Sequence, residues 1–528
     1  MSSPTASSTP RRAALIALLM VIAVSCLAQD VLTYHNNNAR TGVNSKETIL
    51  TTGNVNAATF GKLFTVPADG LVDAEPLYLS AVSVGGVAHN LLIVATEHGS
   101  VYAYDADSGA RLWRITTLKP GETTSDNRGS NQVTPEIGIT ATPVILRLKT
   151  GNPVIFVVAM SKDKSGNYHQ RLHALNAATG AEVRGGPVDI AATYPGTGDN
   201  SSGGRMIFDP AQYKERAGLL LIANTLYLAW ASHCDFRPYT GWIMGYNATT
   251  LKQTTVLNLT PHGNEGAIWN SGAGMAADGN GNIILLDANG VFDTTLTASG
   301  FPIDADYGNA FLRLTTRSGL AVADYFEMDN QAAENVNDVD LGSGGTLLVS
   351  QKDSSGKAWQ LAIGAGKDTN LYVVDRANMG KFSASANHVY QELPGALPGG
   401  VFSMPAFFNG LLYYGPVGSP LLAFQFGNAK LLASPVARTA NSFGYPGATP
   451  SISSNAAKNG IVWAMENSNP GVLHAYDART LLELYNSNQA ANGRDHPGAG
   501  DKFMTPMIAN GKVYVATPTG VTAFGLLP

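Results

Sequence analysis

From Val101 the chain runs Val-Tyr-Ala-Tyr, breaks into the polar stretch Asp105-Ala-Asp-Ser-Gly109, and resumes as Ala-Arg-Leu-Trp113. Period-two alternation interrupted by Asp, Ser and Gly and then taken up again predicts a β-hairpin. Weaker copies begin at Leu172, Ile243, Leu371 and Leu473. A hairpin that recurs down a chain predicts a repeat architecture, in which many small units share one fold.

Each unit reads as an opening strand near a Pro or Gly, a strand of the Leu-Ile-Val-Ala type, and then the hairpin. On that grammar the units span 72–117, 139–190, 205–260, 266–329, 340–392, 401–435 and 448–486. The last, 503–524, holds three strands (504–508, 513–517 and 521–524), so it lacks one. The run Phe60-Gly-Lys-Leu-Phe-Thr-Val66 is a strand without a unit. Pairing these two ends would close a ring and remove both exposed sheet edges. The predicted fold is therefore all-β: a β-propeller of four-stranded blades, eight by this count, seven if the fourth or sixth unit is not a full blade. Residues 60–528 form the single propeller domain. Residues 29–59 are polar and Asn-rich, with little periodicity, and read as an extended lead-in that packs against the body.

Charge and the N-terminus narrow the classes. The net charge of −5 becomes −7 when Arg11 and Arg12 leave with a leader, and no basic stripe exists, so nucleic-acid binding is excluded. Arg11-Arg12, the apolar run 13–24 and Ala28 read as a signal peptide over residues 1–28. Ala-Val-Ser-Cys26 is a loose lipobox, so a lipid anchor on Cys26 is the competing reading. Removing the leader leaves Cys234 alone, which excludes an intramolecular disulfide. No later apolar run is long enough to span a bilayer. The expected location is exported, periplasmic or extracellular.

Ala103, Asp105, Ser108, Gly109 and Trp113 give the spacing Ala-x-Asp-x-x-Ser/Thr-Gly-x-x-x-Trp. This resembles the tryptophan-docking repeat of the quinoprotein (pyrroloquinoline quinone, PQQ) β-propeller family. In physical terms the Asp fixes a tight turn, the Gly permits a left-handed backbone, and the Trp packs between neighbouring sheets. A second copy keeps Ala174, Asn176, Thr179 and Gly180 with Arg184 in place of Trp. A late copy keeps Ala475, Asp477 and Thr480, with Leu481 for Gly and Tyr485 for Trp. The resemblance implies architecture more than cofactor, because it covers quinone-dependent dehydrogenases and an outer-membrane assembly lipoprotein alike.

For the dehydrogenases the resemblance implies PQQ, a calcium ion held by carboxylate and amide oxygens, an Asp base, an Arg or Lys at the quinone oxygens and a Trp beneath the ring. Adjacent cysteines and Cys-x-x-Cys-His are both absent here, which excludes the quinohaem class and fits the disulfide-bearing enzymes poorly. Candidates remain in Gly-rich loops, where a propeller builds its channel mouth. They are Asp340 as base, with Asp338 and Asp340 for a metal, and Arg205, Glu265, Trp269, Lys367 and Tyr445 for a cofactor. Such loops also carry Asp, Asn and Gly simply to make turns. Asp105-x-Asp107-x-Gly109 and Asp278-x-Asn280-x-Asn282 imitate calcium loops, but Thr116 and Asn289 stand where the closing Glu belongs, so both read as hairpin turns. His169 and His173 flank a strand and make no zinc site, and Cys234 reads as a loop thiol.

The leading functional expectation is an extracytoplasmic binding or scaffold module with a protein or glycan partner. The rival is a PQQ- and calcium-dependent alcohol or sugar dehydrogenase, which requires Asp340, Glu265, Arg205 and Lys367 to converge. An assembly-type lipoprotein is the third reading and requires lipidated Cys26.

Overall fold

The computed structural model describes Met1 and residues 29–528; the leader and Cys26 lie outside the described residues. Eight antiparallel sheets are built on four strands, and a small three-stranded sheet is inserted between the second and third. Their first strands are, in order, Leu77–Val84, Val144–Leu146, Leu220–Ile222, Ala276–Ala277, Leu347–Lys352, Ala406–Phe408, Ser451–Asn455 and Met507–Ala509. Sheet eight takes its fourth strand from the other end of the chain. Phe60–Pro67 lies antiparallel to Gly520–Leu526, with Phe60 opposite Leu526 and Pro67 opposite Gly520.

Apolar clusters join the sheets into a cycle. One holds the eighth, first and second sheets together; others join second to third, third to fourth, and so on through seventh to eighth. The strands are apolar on both faces because each sheet is covered on both sides by its neighbours. The repeat turn does what its residues predict. Asp105 Oδ1 accepts from the Ser108 amide at 2.8 Å and from its hydroxyl at 2.8 Å, and Gly109 is left-handed. Trp113 Nε1 donates across to the Ala177 carbonyl at 3.0 Å, against Gly180 of the second sheet. Where the late copy has Leu481 for Gly, the leucine itself adopts the left-handed conformation (φ 54°).

The polar lead-in holds the centre of the ring. Each first strand has one free edge, and residues 31–44 meet these edges in chain order. Val31 exchanges backbone bonds with Tyr78. The amides of Ile145, Ala277, Leu348, Phe407 and Ile452 donate to the carbonyls of Leu32, Asn38, Ala39, Thr41 and Gly42 at 2.7–3.0 Å. Asn38 and Asn44 side-chain amides donate to Leu221 and Ile508 carbonyls at 2.9 and 3.0 Å. All eight sheets are touched, so the segment lies on the axis. Buried backbone groups must find partners, and this segment supplies them. Its buried Arg40 donates to the Met275 and Tyr34 carbonyls and the Thr33 hydroxyl at 2.7–2.9 Å.

Arg40→Ala therefore removes three charged hydrogen bonds at the centre and is expected to cost roughly 3 kcal/mol or more. The midpoint of urea unfolding checks this against Arg479→Ala on the exposed rim, expected to fall within about 0.5 kcal/mol of the parent.

Candidate functional site

The segments that precede the first strands converge at one mouth of the ring and enclose a cavity of about 320 Å³. Lys214 and Arg216 lead into sheet three, Trp269 into sheet four, and Asp338 and Asp340 into sheet five. Phe402, Tyr445 and Phe503 lead into sheets six, seven and eight. Cys234 and Lys367 come from the turns between second and third strands of sheets three and five. A larger cleft of about 450 Å³ between sheets four and five lies apart from all the candidates. Its arginines, Arg313 and Arg376, are paired with Asp324 and Asp278.

Four aromatic rings form a row along the mouth. Centroids stand 6.0 Å apart for Trp269 and Phe402, 5.5 Å for Phe402 and Tyr445, and 6.4 Å for Tyr445 and Phe503. Cations sit beside them. The Arg216 guanidinium lies 4.7 Å from the Phe503 centroid, and the Lys367 ammonium 5.9 Å from that of Trp269. Such a wall suits a planar body that carries negative charge.

Lys367 also decides what the two aspartates can do. Its ammonium lies 2.6 Å from Asp340 Oδ2 and 2.8 Å from Asp338 Oδ1, and donates to the Asp338 carbonyl at 3.0 Å. Asp340 Oδ1 accepts from the Asn289 amide at 2.8 Å, and the Asn289 side chain donates to Asp338 at 3.0 Å. Burial lifts the Asp340 carboxyl to about 6 against the pull of Lys367. Burial works to depress Lys367, but Asp340 and Asp338 together hold it above the ordinary lysine range. Among the described residues no three His, Cys, Asp or Glu side chains come together as a metal site.

Five of the candidates thus share one cavity: Trp269, Asp338, Asp340, Lys367 and Tyr445. Glu265 stands behind it, half-buried and left-handed (φ 63°), with its amide bonded to the Tyr239 carbonyl. Burial raises its carboxyl, and Asp235 and Asp340 add to that. Arg205 is not brought to the cavity. It lies on the inserted sheet, in Arg205–Ile207, exposed and bonded to the Thr193 hydroxyl at 2.5 Å. The opening of the third unit is therefore not at residue 205. The residues that fill this position are Lys214 and Arg216, in Lys-Glu-Arg-Ala-Gly ahead of Leu219-Leu220-Leu221. The signal was available: they precede their apolar run as Trp269 and Tyr445 precede theirs.

Residues 74–183 match the family model described as outer membrane protein assembly factor BamB. No curated protein matches the chain. Among solved structures, the quinohemoprotein alcohol dehydrogenase of Comamonas testosteroni superimposes with a TM-score of 0.61 at 14% identity, over 94% of this chain and 80% of that one. A quinohemoprotein alcohol dehydrogenase of Pseudomonas putida HK5 gives 0.61 at 12% identity, over the same 94% and 80%. A europium-containing methanol dehydrogenase gives 0.59 at 13% identity, over 94% and 98%. The chain has the repeat and fold of the PQQ-repeat β-propellers. At these identities the likeness is one of fold.

The raised carboxyl of Asp340 predicts a pH signature. The folded state keeps this proton up to about pH 6, whereas the unfolded carboxyl releases it near 3.8, so its contribution to stability falls as pH rises between those values. In Asp340→Asn that component is gone, and the difference between the two stability curves should change by about 3 kcal/mol across the window. Urea unfolding at pH 3.5 to 7.5 measures it; a constant difference would mean that Asp340 titrates as a free carboxylate.

Proposed function

We propose that this protein is an extracytoplasmic binding propeller whose channel-mouth cavity takes a small ligand with a planar apolar body and an anionic group. The observation that carries the reading is the pairing of an aromatic row with three basic side chains, Lys214, Arg216 and Lys367, in one cavity. Export rests on the leader-like residues 1–28. Among the described residues no helix is long and apolar enough to cross a membrane.

The rival is a quinone- and calcium-dependent dehydrogenase, and it has one observation of its own. Asp340, lifted to about 6, stands beside a cation in the cavity, as a proton-accepting carboxylate would. The chemistry of a planar, acidic quinone suits the wall. A calcium ion does not suit the aspartates, because the Lys367 ammonium already lies within 2.8 Å of both carboxylates and neutralises the charge such an ion needs. The absence of Arg205 from the cavity removes a further residue on which the rival relied. Binding is therefore the better-supported reading.

Residues 29–528, purified, are to be titrated with benzoate and with PQQ, in calcium and in a chelator, following tryptophan fluorescence and dye reduction with alcohols and sugars. The expected result is saturable quenching that changes less than about twofold with calcium, that is reduced in Trp269→Phe, and that brings no dye reduction. Calcium-dependent binding with turnover overturns the proposal in favour of the dehydrogenase. No quenching by either compound overturns the small-ligand site and moves attention to a protein or glycan partner on the loop surface.

A further inference from the structure

We propose that Lys214 is a nucleophilic amine that captures a carbonyl-bearing ligand, an aromatic aldehyde or ketone, as an imine inside the cavity. The inference rests on the cavity being a binding site. Lys214 is 4% exposed. Its short strand, Lys214–Glu215, pairs with Ala231 and Trp230 of sheet three, so its backbone is fixed by the ladder while its side chain lines the cavity.

What distinguishes Lys214 is the lack of a partner. Lys367 is held by Asp338 and Asp340, and Arg216 faces Asp73 at 3.7 Å and stacks on Phe503. Among the described residues, what acts on the Lys214 ammonium is burial and the charge of Arg216, Cys234, Glu97 and Asp73, with no hydrogen bond to any of them. A buried, unpaired ammonium is costly, and the neutral amine avoids that cost. The groups that face it decide the balance. Burial depresses Lys214 to about 8, and Arg216, on its own segment, pushes the same way. Cys234 from the sheet-three turn and Glu97 and Asp73 from the first sheet pull in the opposite direction. His233, beside Cys234, is itself depressed by burial to about 3 and is neutral at ordinary pH, so it adds no charge. A desolvated lysine next to another cation is the arrangement that makes an amine nucleophilic near neutral pH.

The reaction needs no oxidant or reductant. The nitrogen lone pair forms a bond to the carbonyl carbon, the carbonyl π electrons pass to oxygen, and that oxygen takes a proton as nitrogen loses one. The carbinolamine then loses its hydroxyl with a second proton as water, leaving C=N. The row from Trp269 to Phe503 offers a stacking face to an aromatic body, while Arg216 and Lys367 face a carboxylate on the same ligand. Cys234 shares the wall, with its sulfur 2.9 Å from the Ser130 hydroxyl, and is the competing nucleophile.

The test treats the purified protein with 4-formylbenzoate and cyanoborohydride, which reduces an imine to a stable amine, and maps the adducts by peptide mass spectrometry. The expected result is an adduct at Lys214 at least about tenfold richer than at exposed Lys458, with labelling that rises with a midpoint near pH 8. Lys214→Arg should lose the adduct, whereas Lys458→Arg at the exposed control position should keep both the Lys214 adduct and the benzoate quenching; the pH midpoint of labelling is a readout that a merely structural role would not give. Labelling spread evenly over surface lysines, or concentrated on Cys234, overturns the inference. Benzoate quenching without a Lys214 adduct overturns it and leaves the binding site standing; loss of both overturns the binding reading beneath it.

Discussion

Eight sheets that share a ring each present one unpaired edge to the axis, and the structure depends on those edges being satisfied. Residues 31–44 do this in sequence, one sheet after another, with backbone carbonyls and two asparagine amides. An open axis would leave these groups to water in a narrow channel, or unpaired at a cost of 1–3 kcal/mol each, roughly. The lead-in is polar and irregular for this reason. It has to turn with the ring, so only Val43–Asn44 runs as a strand, parallel to Ser451–Asn455 of sheet seven. Gly42 is left-handed (φ 71°) at the point where the chain passes from sheet six to sheet seven, and a Cβ there would meet the His35 ring.

Filling the axis also explains why the site is at a mouth. With the lead-in on the axis, polar chemistry gathers where the segments ahead of the first strands come together above it. The segments ahead of sheets three to eight contribute one or two side chains each, and the ring brings residues more than a hundred positions apart into contact, as Trp269 meets Phe402 and Arg216 meets Phe503. The cavity is thus a property of the whole ring, whereas its charge is set locally, by which residue each segment carries.

Much of this was legible in the chain. The turn at Asp105 to Gly109, the docking of Trp113 and the closing pair of Phe60–Pro67 with Gly520–Leu526 follow from alternation, turn chemistry and the need to remove edges. Trp269, Asp338, Asp340, Lys367 and Tyr445 could be named because Gly-rich loops mark the channel mouth. Arg205 misled because an inserted hairpin sheet imitates the opening of a unit. Lys214 and Arg216 escaped because they sit in a segment without glycine before position 218, and charged residues ahead of an apolar run usually mean solvent. The path of the lead-in could not be read at all. Its bonds go to eight different sheets, and no periodicity records a partner that changes at irregular intervals of up to six residues. Leu481 shows a related limit: tertiary packing holds a leucine in a backbone region where the first copy of the repeat uses glycine.

The contrast between Lys367 and Lys214 is where the chemistry of this propeller is decided. Both ammonium groups project into the same cavity. One is locked between two carboxylates and stays charged; the other has no counter-group and is pushed toward the neutral amine. A cation fixed by acids offers a steady electrostatic contact and occupies the space that a metal ion would need. An amine kept short of acids offers a lone pair. The difference follows from position, since Asp338 and Asp340 lie on the segment that faces Lys367, while Glu97 and Asp73 act on Lys214 through charge alone. One cavity therefore sets a held cation and a free base beside the same row of aromatic rings.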